Sequence, residues 1–419
     1  MNIIKNAVCP GCTLLCDDVT FQIDGQSIQS DIKCDLAQQW IGWANAEIDA
    51  PRKSAEEVQA AIGVIASGLK QSKLPLIAGL ANLPLQGQQI AWKIADAAGA
   101  VLGTTIGRRP QGSLYALQRQ GKISASLGEV ANRGDLLIFW FCDPAKTHPR
   151  LLEKLKASSN KTVVVVDSTK TQTAKLADHF FLVKQNDAIG FLSNARRVLS
   201  NEGSDAASKA DGMRDTAIQL VELATKCAYG CFIYGHPATR TTDDRADDNP
   251  LTLGHQKWVR RLNDHTRMVS IGLRTDGNGR SAENVMSAFS GYPVAVSQAK
   301  GIPEYCGDIW SASRLLEQRQ CDSLLLFAGR NLETELASLS TGAQANLSTL
   351  PKYVIFSGPK PDLDLLKNAS MLQVAAPGAS ATGDFCRLDD VLLPLGALRD
   401  SKLPTAEAIL GRVFDAVVG

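Results

Sequence analysis

From residue 74 onward the chain alternates short, unbroken apolar runs with stretches of helical periodicity, and the runs stop at Gly, Asp, Asn or Pro. The clearest runs cover residues 74–79, 135–143, 162–167, 231–235, 323–329 and 352–358. A strand apolar at every position is buried on both faces, the condition of a parallel sheet covered by crossover helices. Units of this kind, repeated over such a length, predict two doubly wound α/β domains. Ahead of them, Ser54-Ala55-Glu56-Glu57 has the spacing of a capping box and predicts a helix start, with Val58, Ile62, Ile65 and Leu69 on one face. Polar text at 200–215 and the run TTDDRADDN at 241–249 predict loops, and nothing fixes the carboxylates of the second as metal ligands.

A chain of 419 residues is long enough for two or three packed units. Its 44 basic and 43 acidic residues leave a net charge of +1, which disfavours a nucleic-acid binder or a polyacidic tail. No apolar run approaches the roughly 20 residues of a membrane-spanning helix. Residues 1–8 lack the apolar core of a secretory signal, so a cytoplasmic location is expected. Ten cysteines in a reducing compartment then need an explanation other than disulfides.

Four of those cysteines fall within the first 34 residues, as Cys9, Cys12, Cys16 and Cys34. The spacing C-x2-C-x3-C places three thiols on one turn, and the fourth, a loop away, closes the set. Four such donors suit a [4Fe-4S] cluster or a structural zinc. The bland alternative is four buried small hydrophobes with no metal. Cys142, Cys231 and Cys321 stand at or beside strand ends and Cys227 near a strand start, all as packing residues, while Cys306 and Cys386 lie in polar text. The histidines His148, His179, His236, His255 and His265 have no metal-ligand spacing. Residues 272–279 are glycine-rich without a phosphate-loop pattern.

A cysteine cluster ahead of two doubly wound domains resembles the molybdopterin-dependent oxidoreductases, and most closely the B-type subunit of formylmethanofuran dehydrogenase. The passages that carry the resemblance are CPGCTLLCDDV at 9–19, SLGEVANRGDLLIFWFCDPAKTHPR at 126–150 and VDSTKTQTAKLAD at 166–178, followed by SGYPVAVSQAKGIPEYCGDIWSASRLL at 290–316 and GDFCRLDDV at 383–391. The resemblance implies a cysteine-rich domain at 1–50, a discontinuous α/β domain at 51–125 and 290–419, and an inserted α/β domain at 126–289. In active relatives a Cys-His-Gly-Pro-Ser motif binds tungsten or molybdenum held by pterins. The corresponding stretch here begins Arg108-Arg109-Pro110-Gln111-Gly112-Ser113, which puts Arg109 in the ligand position. A guanidinium has no lone pair to give, and no cysteine occurs between Cys34 and Cys142.

Other positions depart from the same pattern. Phe141 stands where relatives carry a glycine that admits the pterin, and Ala328-Gly329-Arg330-Asn331 replaces a Gly-Ser-Asp-Pro. Remnants of the cavity are His148, Arg274, Arg387 and Asp389, which suit helix capping and bracing of strand ends. The resemblance therefore implies a chain without a tungsten or molybdenum pterin, closest to the beta subunit of the bacterial formyltransferase/hydrolase complex. That complex serves tetrahydromethanopterin-linked formaldehyde oxidation to formate in methylotrophy. Expected partners are its formyltransferase, amidohydrolase-like and C-type subunits, with no nucleic acid and no membrane. Trp40, Trp43 and Trp310 suit either such contacts or core packing. The alternatives are an active tungsten or molybdenum subunit interconverting carbon dioxide and formyl-methanofuran, and an iron–sulfur module that passes electrons.

Overall fold

A computed structural model describes residues 2–47, 53–107, 112–156, 161–200, 212–235 and 249–419. Arg108 to Gln111, His236 and most of the loops expected at 200–215 and 241–249 lie outside the described residues. The chain opens with an antiparallel three-stranded sheet, β1 (Asn2–Ala7), β2 (Val19–Asp24) and β3 (Ser27–Gln29), followed by helices α1 (Asp35–Asn45) and α2 (Ala55–Gln71). It continues through β4 (Pro75–Ala78) and β5 (Val101–Leu102). Next come β6 (Leu136–Trp140), β7 (Thr162–Asp167), β8 (His179–Leu182), β9 (Tyr229–Tyr234) and β10 (Arg267–Gly272). The strands β11 (Val296–Ser297), β12 (Glu304–Tyr305), β13 (Ser323–Ala328), β14 (Lys352–Ser357) and β15 (Ser370–Val374) follow, and then a hairpin of β16 (Gly383–Cys386) with β17 (Leu392–Leu395).

The chain divides into two compact units. The first holds 1–109, 276–387 and 392–419, and the second 110–275 and 388–391. The units thus change over at Arg109/Pro110 and Thr275/Asp276, where the family resemblance implies 125 and 289. The first 47 residues count with the first unit, to which the turns at Gly11 and Gln26, the α1 carbonyls of Leu36 and Ala44, and Glu47 are hydrogen-bonded. Each unit is mixed α/β with a largely parallel sheet. In the second the order is β10-β9-β6-β7-β8, all parallel. In the first it is β12-β11-β5-β4-β13-β14-β15, parallel from β5 to β15.

Five strands of each sheet follow one plan. An aspartate just before the central strand ties the start of its neighbour: Asp135 accepts from Ala228 and Tyr229 N–H (2.8 and 3.0 Å). Asp322 accepts from Lys73 and Leu74 N–H (2.7 and 3.0 Å). A buried lysine at the start of the next strand caps a helix end, that of Leu127–Arg133 ahead of β6 for Lys161 and that of Thr341–Thr349 ahead of β14 for Lys352. Lys161 donates to Val130 O, Ala131 O and Gly134 O, and Lys352 donates to Leu347 O, Ser348 O and Leu350 O. A cation on these last carbonyls satisfies acceptors that a helix end leaves open. The strand order reverses beside the central strand in each sheet, between β6 and β9 and between β13 and β4. Open α/β sheets take ligands outside the carboxyl ends at such a point.

The expected strands are present because all-apolar runs have no solvated face. All of β6 and β9 is buried, as is all of β13. Ser54 caps α2 in a complete capping box, and Ile62, Ile65 and Leu69 are buried. Trp140, Phe141, Phe191, Phe232 and Trp258 fill the core of the second unit. Each such buried side chain contributes about 1.5–3 kcal/mol. Among the described residues no helix is long and apolar enough to cross a membrane.

Candidate functional site

The turn between β1 and β2 carries Cys9, Cys12 and Cys16. It is folded back by Cys9 N–H donating to Cys16 O (2.8 Å) and Leu15 N–H to Cys12 O (3.1 Å). Leu15 takes a left-handed φ of 43° to make that closure. Gly11 lies flat on α1, where a Cβ would stand 2.9 Å from Leu36 O and 3.0 Å from Ala37 Cα. Only glycine fits so close an approach. Cys34 is the residue ahead of α1, so the helix start delivers the fourth thiol. Gly11 N–H points at Cys9 Sγ (3.4 Å), and Leu14 N–H is directed at Cys12.

The four thiols lie within electrostatic reach of one another. As free cysteines they stand apart: among the described residues no three His, Cys, Asp or Glu side chains close on a metal-sized point. Burial pushes the thiols of Cys9 and Cys12 up to about 12, against the pull of their backbone N–H groups, so both are protonated. A metal has to displace those protons and draw the sulfurs together. The donors fit that task chemically, with four sulfurs and N–H dipoles aimed at two of them. Bound there, an iron–sulfur cluster or zinc would cross-link the turn to the start of α1.

Arg330, two residues past β13, reaches the same place. Its guanidinium donates to Gly11 O and to Leu36 O (3.2 Å), bridging the cysteine turn and α1. Its charge acts on Cys9, Cys12 and Cys34, and burial lowers its pKa from the ordinary value. The rest of this edge is also covered by the N-terminal segment. The Trp43 indole lies on Gly358, where a Cβ would come within 2.3 Å of Cε2. Pro10 packs on Gly378, and both glycines have positive φ, 76° and 77°. Trp40 is buried against Phe21, and Trp310 packs on the core of the first unit, so all three tryptophans are packing residues. Glu47, at the far end of this segment, is buried with Arg399 (3.1 Å) and accepts from Ala376 N–H (2.6 Å) and Ser380 Oγ.

At the carboxyl ends of β13, β14 and β15 lies a small hollow of about 10 Å³, lined by Asn82, Phe327, Ile355, Ser357 and Val374 among others. Nearby, Glu335 accepts from Ile106 N–H (3.2 Å). Burial, with Asp276 adding to it, raises its carboxyl to about 7. No sequence signal marked Glu335, because a Glu in a short helix reads as a surface residue until the fold closes over it.

In the second unit Phe141 follows β6 with φ at 44°, in the left-handed region that favours glycine. Its ring is 1% exposed and meets Trp140 edge-on at 5.1 Å, and its N–H donates to Val166 O (2.9 Å). Asp143 accepts from Thr173 N–H and Oγ1 (2.8 and 2.6 Å), closing the loop after β7. His148 and Arg274 come together through the backbone: His148 Nε2 is 3.0 Å from Arg274 O, and Nδ1 is 2.9 Å from Thr147 Oγ1. Burial, partly opposed by that carbonyl, lowers His148 to about 4, so the ring is neutral. Asp389 accepts from Leu127 N–H (2.7 Å) at a helix start. Arg387 stands at the end of the first unit's segment beside Cys386, whose N–H is held by Asn278 Oδ1 (2.8 Å). Arg109 lies outside the described residues.

No family model matches the chain. Among curated proteins it is 25% identical over 422 residues to the B-type subunit of the tungsten-containing formylmethanofuran dehydrogenase 2 of Methanocaldococcus jannaschii, covering 96% of this chain and 94% of that one. The protein of the same name from Methanococcus maripaludis is 24% identical over 418 residues, covering 94% of each chain. Among solved structures, a chain of the formyltransferase/hydrolase complex FhcABCD from Methylorubrum extorquens, determined with methylofuran, has the same fold. The TM-score is 0.68 at 20% identity, covering 88% of this chain and 97% of that one. With the likeness running from end to end and the fold shared, the chain is a homologue of the B-type subunit of formylmethanofuran dehydrogenase.

Proposed function

We propose that the chain is the beta, or B-type, subunit of a formyltransferase/hydrolase complex related to formylmethanofuran dehydrogenase, and that it carries out no redox chemistry of its own. The observation that carries this reading is a missing donor. The chain runs the length of its tungsten-containing relatives, yet it has no cysteine between Cys34 and Cys142, and Arg109 falls where the resemblance puts the metal ligand. The left-handed backbone at Phe141 supports it, since a bulky ring occupies a conformation that suits the glycine of the family pattern.

In this reading a formyltransferase subunit moves the formyl group from a tetrahydromethanopterin carrier to a furan carrier. An amidohydrolase-like subunit releases it as formate, and this chain, with a C-type subunit, holds the assembly together. Its own cofactor is confined to the four-cysteine site, as a [4Fe-4S] cluster or zinc. The test is to purify the complex from its native host, identify the bound chains and measure metals. Formyltransferase and amidohydrolase-like chains, with tungsten and molybdenum far below one atom per chain, are the expected result. The likeness to two tungsten-containing relatives favours a second reading, a working tungsten subunit interconverting carbon dioxide and formyl-methanofuran. Tungsten or molybdenum near one atom per chain would establish that reading and exclude the first.

A further inference from the structure

The two sheets share a plan, and a comparison of corresponding positions isolates Arg330. Asp143 and Arg330 stand the same eight residues beyond the tying aspartates (143 from 135, 330 from 322). Asp143 spends its carboxylate on Thr173 and Gln172 within its own sheet's loops. Arg330 instead leaves its sheet and hydrogen-bonds to the two backbone segments that carry the cysteines, Gly11 in the turn and Leu36 in the first turn of α1. Both acceptors are carbonyls, so the hydrogen bonds leave the guanidinium's charge unneutralised, and that charge acts on Cys9, Cys12 and Cys34.

A zinc held by four thiolates is a dianion, and an iron–sulfur cluster so held is anionic as well. Such a centre in a partly desolvated pocket needs a cation nearby, and the interaction strengthens as water is excluded. Arginine suits the place because it stays charged when buried and its planar fork serves two carbonyls at once. We propose that Arg330 is the fixed counter-charge of the four-cysteine site, so that metal loading and the clamping of the N-terminal segment onto the first unit are one coupled event. The proposal rests on the reading that these cysteines take a metal, and its test separates the two.

The full-length chain, stripped of metal under anaerobic conditions, is titrated with Zn²⁺ against a chromophoric chelator and separately reconstituted with iron and sulfide. Wild type is expected to bind either, and Cys12→Ser to bind neither tightly. Arg330→Gln should bind zinc about 10–100-fold more weakly, the usual effect of removing a partner just outside the ligands. Arg330→Lys, which keeps the charge and loses the fork, should fall in between. A merely structural arginine would lower the melting temperature of the metal-free protein and leave zinc affinity unchanged. Equal affinity in Arg330→Gln and wild type therefore overturns the proposal. So does Arg330→Lys binding as poorly as Arg330→Gln, since charge would then be irrelevant. Should Arg330→Gln fail to fold, Arg330→Lys against wild type still decides: zinc affinity held within a few-fold supports the counter-charge, and a full loss overturns it. Wild type that takes up neither zinc nor a cluster overturns the four-cysteine reading itself.

Discussion

Replacing Phe141 separates two effects that normally run together. The ring is fully buried against Trp140, and its deletion costs about 3–5 kcal/mol. The backbone at this position has φ 44°, which costs an L-residue about 1–2 kcal/mol and glycine nothing. Phe141→Ala loses the ring and keeps the strain. Phe141→Gly loses the ring, relieves the strain and adds about 0.5–1 kcal/mol of unfolded-state entropy. Glycine should therefore come out ahead of alanine by about 0.5–1 kcal/mol, the reverse of their ordinary order. Phe139, two residues earlier on β6 and 0% exposed, has no positive φ and serves as the control, with Phe139→Ala more stable than Phe139→Gly. Urea unfolding of the four variants, followed by circular dichroism and compared by midpoint at equal slope, reads the order directly. Alanine ahead of glycine at both positions would refute the strain assigned to Phe141, and with it the structural support for a displaced glycine.

The buried ion pair Glu47–Arg399 clamps the far end of the N-terminal segment. Arg399→Met, which leaves the carboxylate buried, should cost about 3–5 kcal/mol. At about 2–4 °C per kcal/mol this is a fall in melting temperature of about 6–20 °C, and calorimetry showing no fall would remove the clamp. Glu47→Gln combined with Arg399→Met should cost less than the sum of the single changes. His148 sets an acid limit. Its pKa is about 4 in the folded chain against 6.5 in the unfolded one, so its contribution is complete above pH 6.5 and is lost as pH falls toward 4. The slope is about 1.4 kcal/mol per pH unit and the total about 3 kcal/mol. Because the raised carboxyl of Glu335 works in the opposite direction over part of this range, the reading is the slope of wild type minus that of His148→Gln. Equal slopes would exclude a neutral buried ring.

The sheets were legible where burial leaves no ambiguity. Runs such as Leu136–Trp140 and residues 163–166 are apolar throughout because both faces are covered, and the Ser54 capping box reads directly as a helix start. Strand β8 was not legible, since an edge strand with the burial pattern exposed, intermediate, buried, exposed has no continuous apolar run. Strand β10 was hidden by Ser270, whose hydroxyl is satisfied by Ile123 O and Gln256. The four cysteines were legible as a set because their spacing is local. The partner of that set was not, because Arg330 lies some three hundred residues from Gly11 and only the fold joins them. For the same reason Glu47 reads as the polar end of a helix, while the fold buries it on Arg399.

The positions at the carboxyl edge of the first sheet now divide by what touches them. Gly358 and Gly378 keep the left-handed backbone that lets another group approach closely, and in each case that group is the chain's own: Trp43 on one, Pro10 on the other. The hollow left beside them, a cavity of about 10 Å³, is far below the roughly 300–1,000 Å³ of ordinary ligand pockets. An edge that the sheet topology marks for a ligand is thus largely given over to the N-terminal segment. That segment is held to it at one end by Arg330 and at the other by Arg399. The grip at Arg399 does not depend on metal, because Glu47 and the carbonyls of Gln26 and Ala44 satisfy it outright. The grip at Arg330 leaves a charge facing the protonated thiols of Cys9 and Cys12. Under the proposed metal loading, only one end of the clamp would be acted on: the cysteine turn would tighten over the sheet edge while the far end stayed fixed.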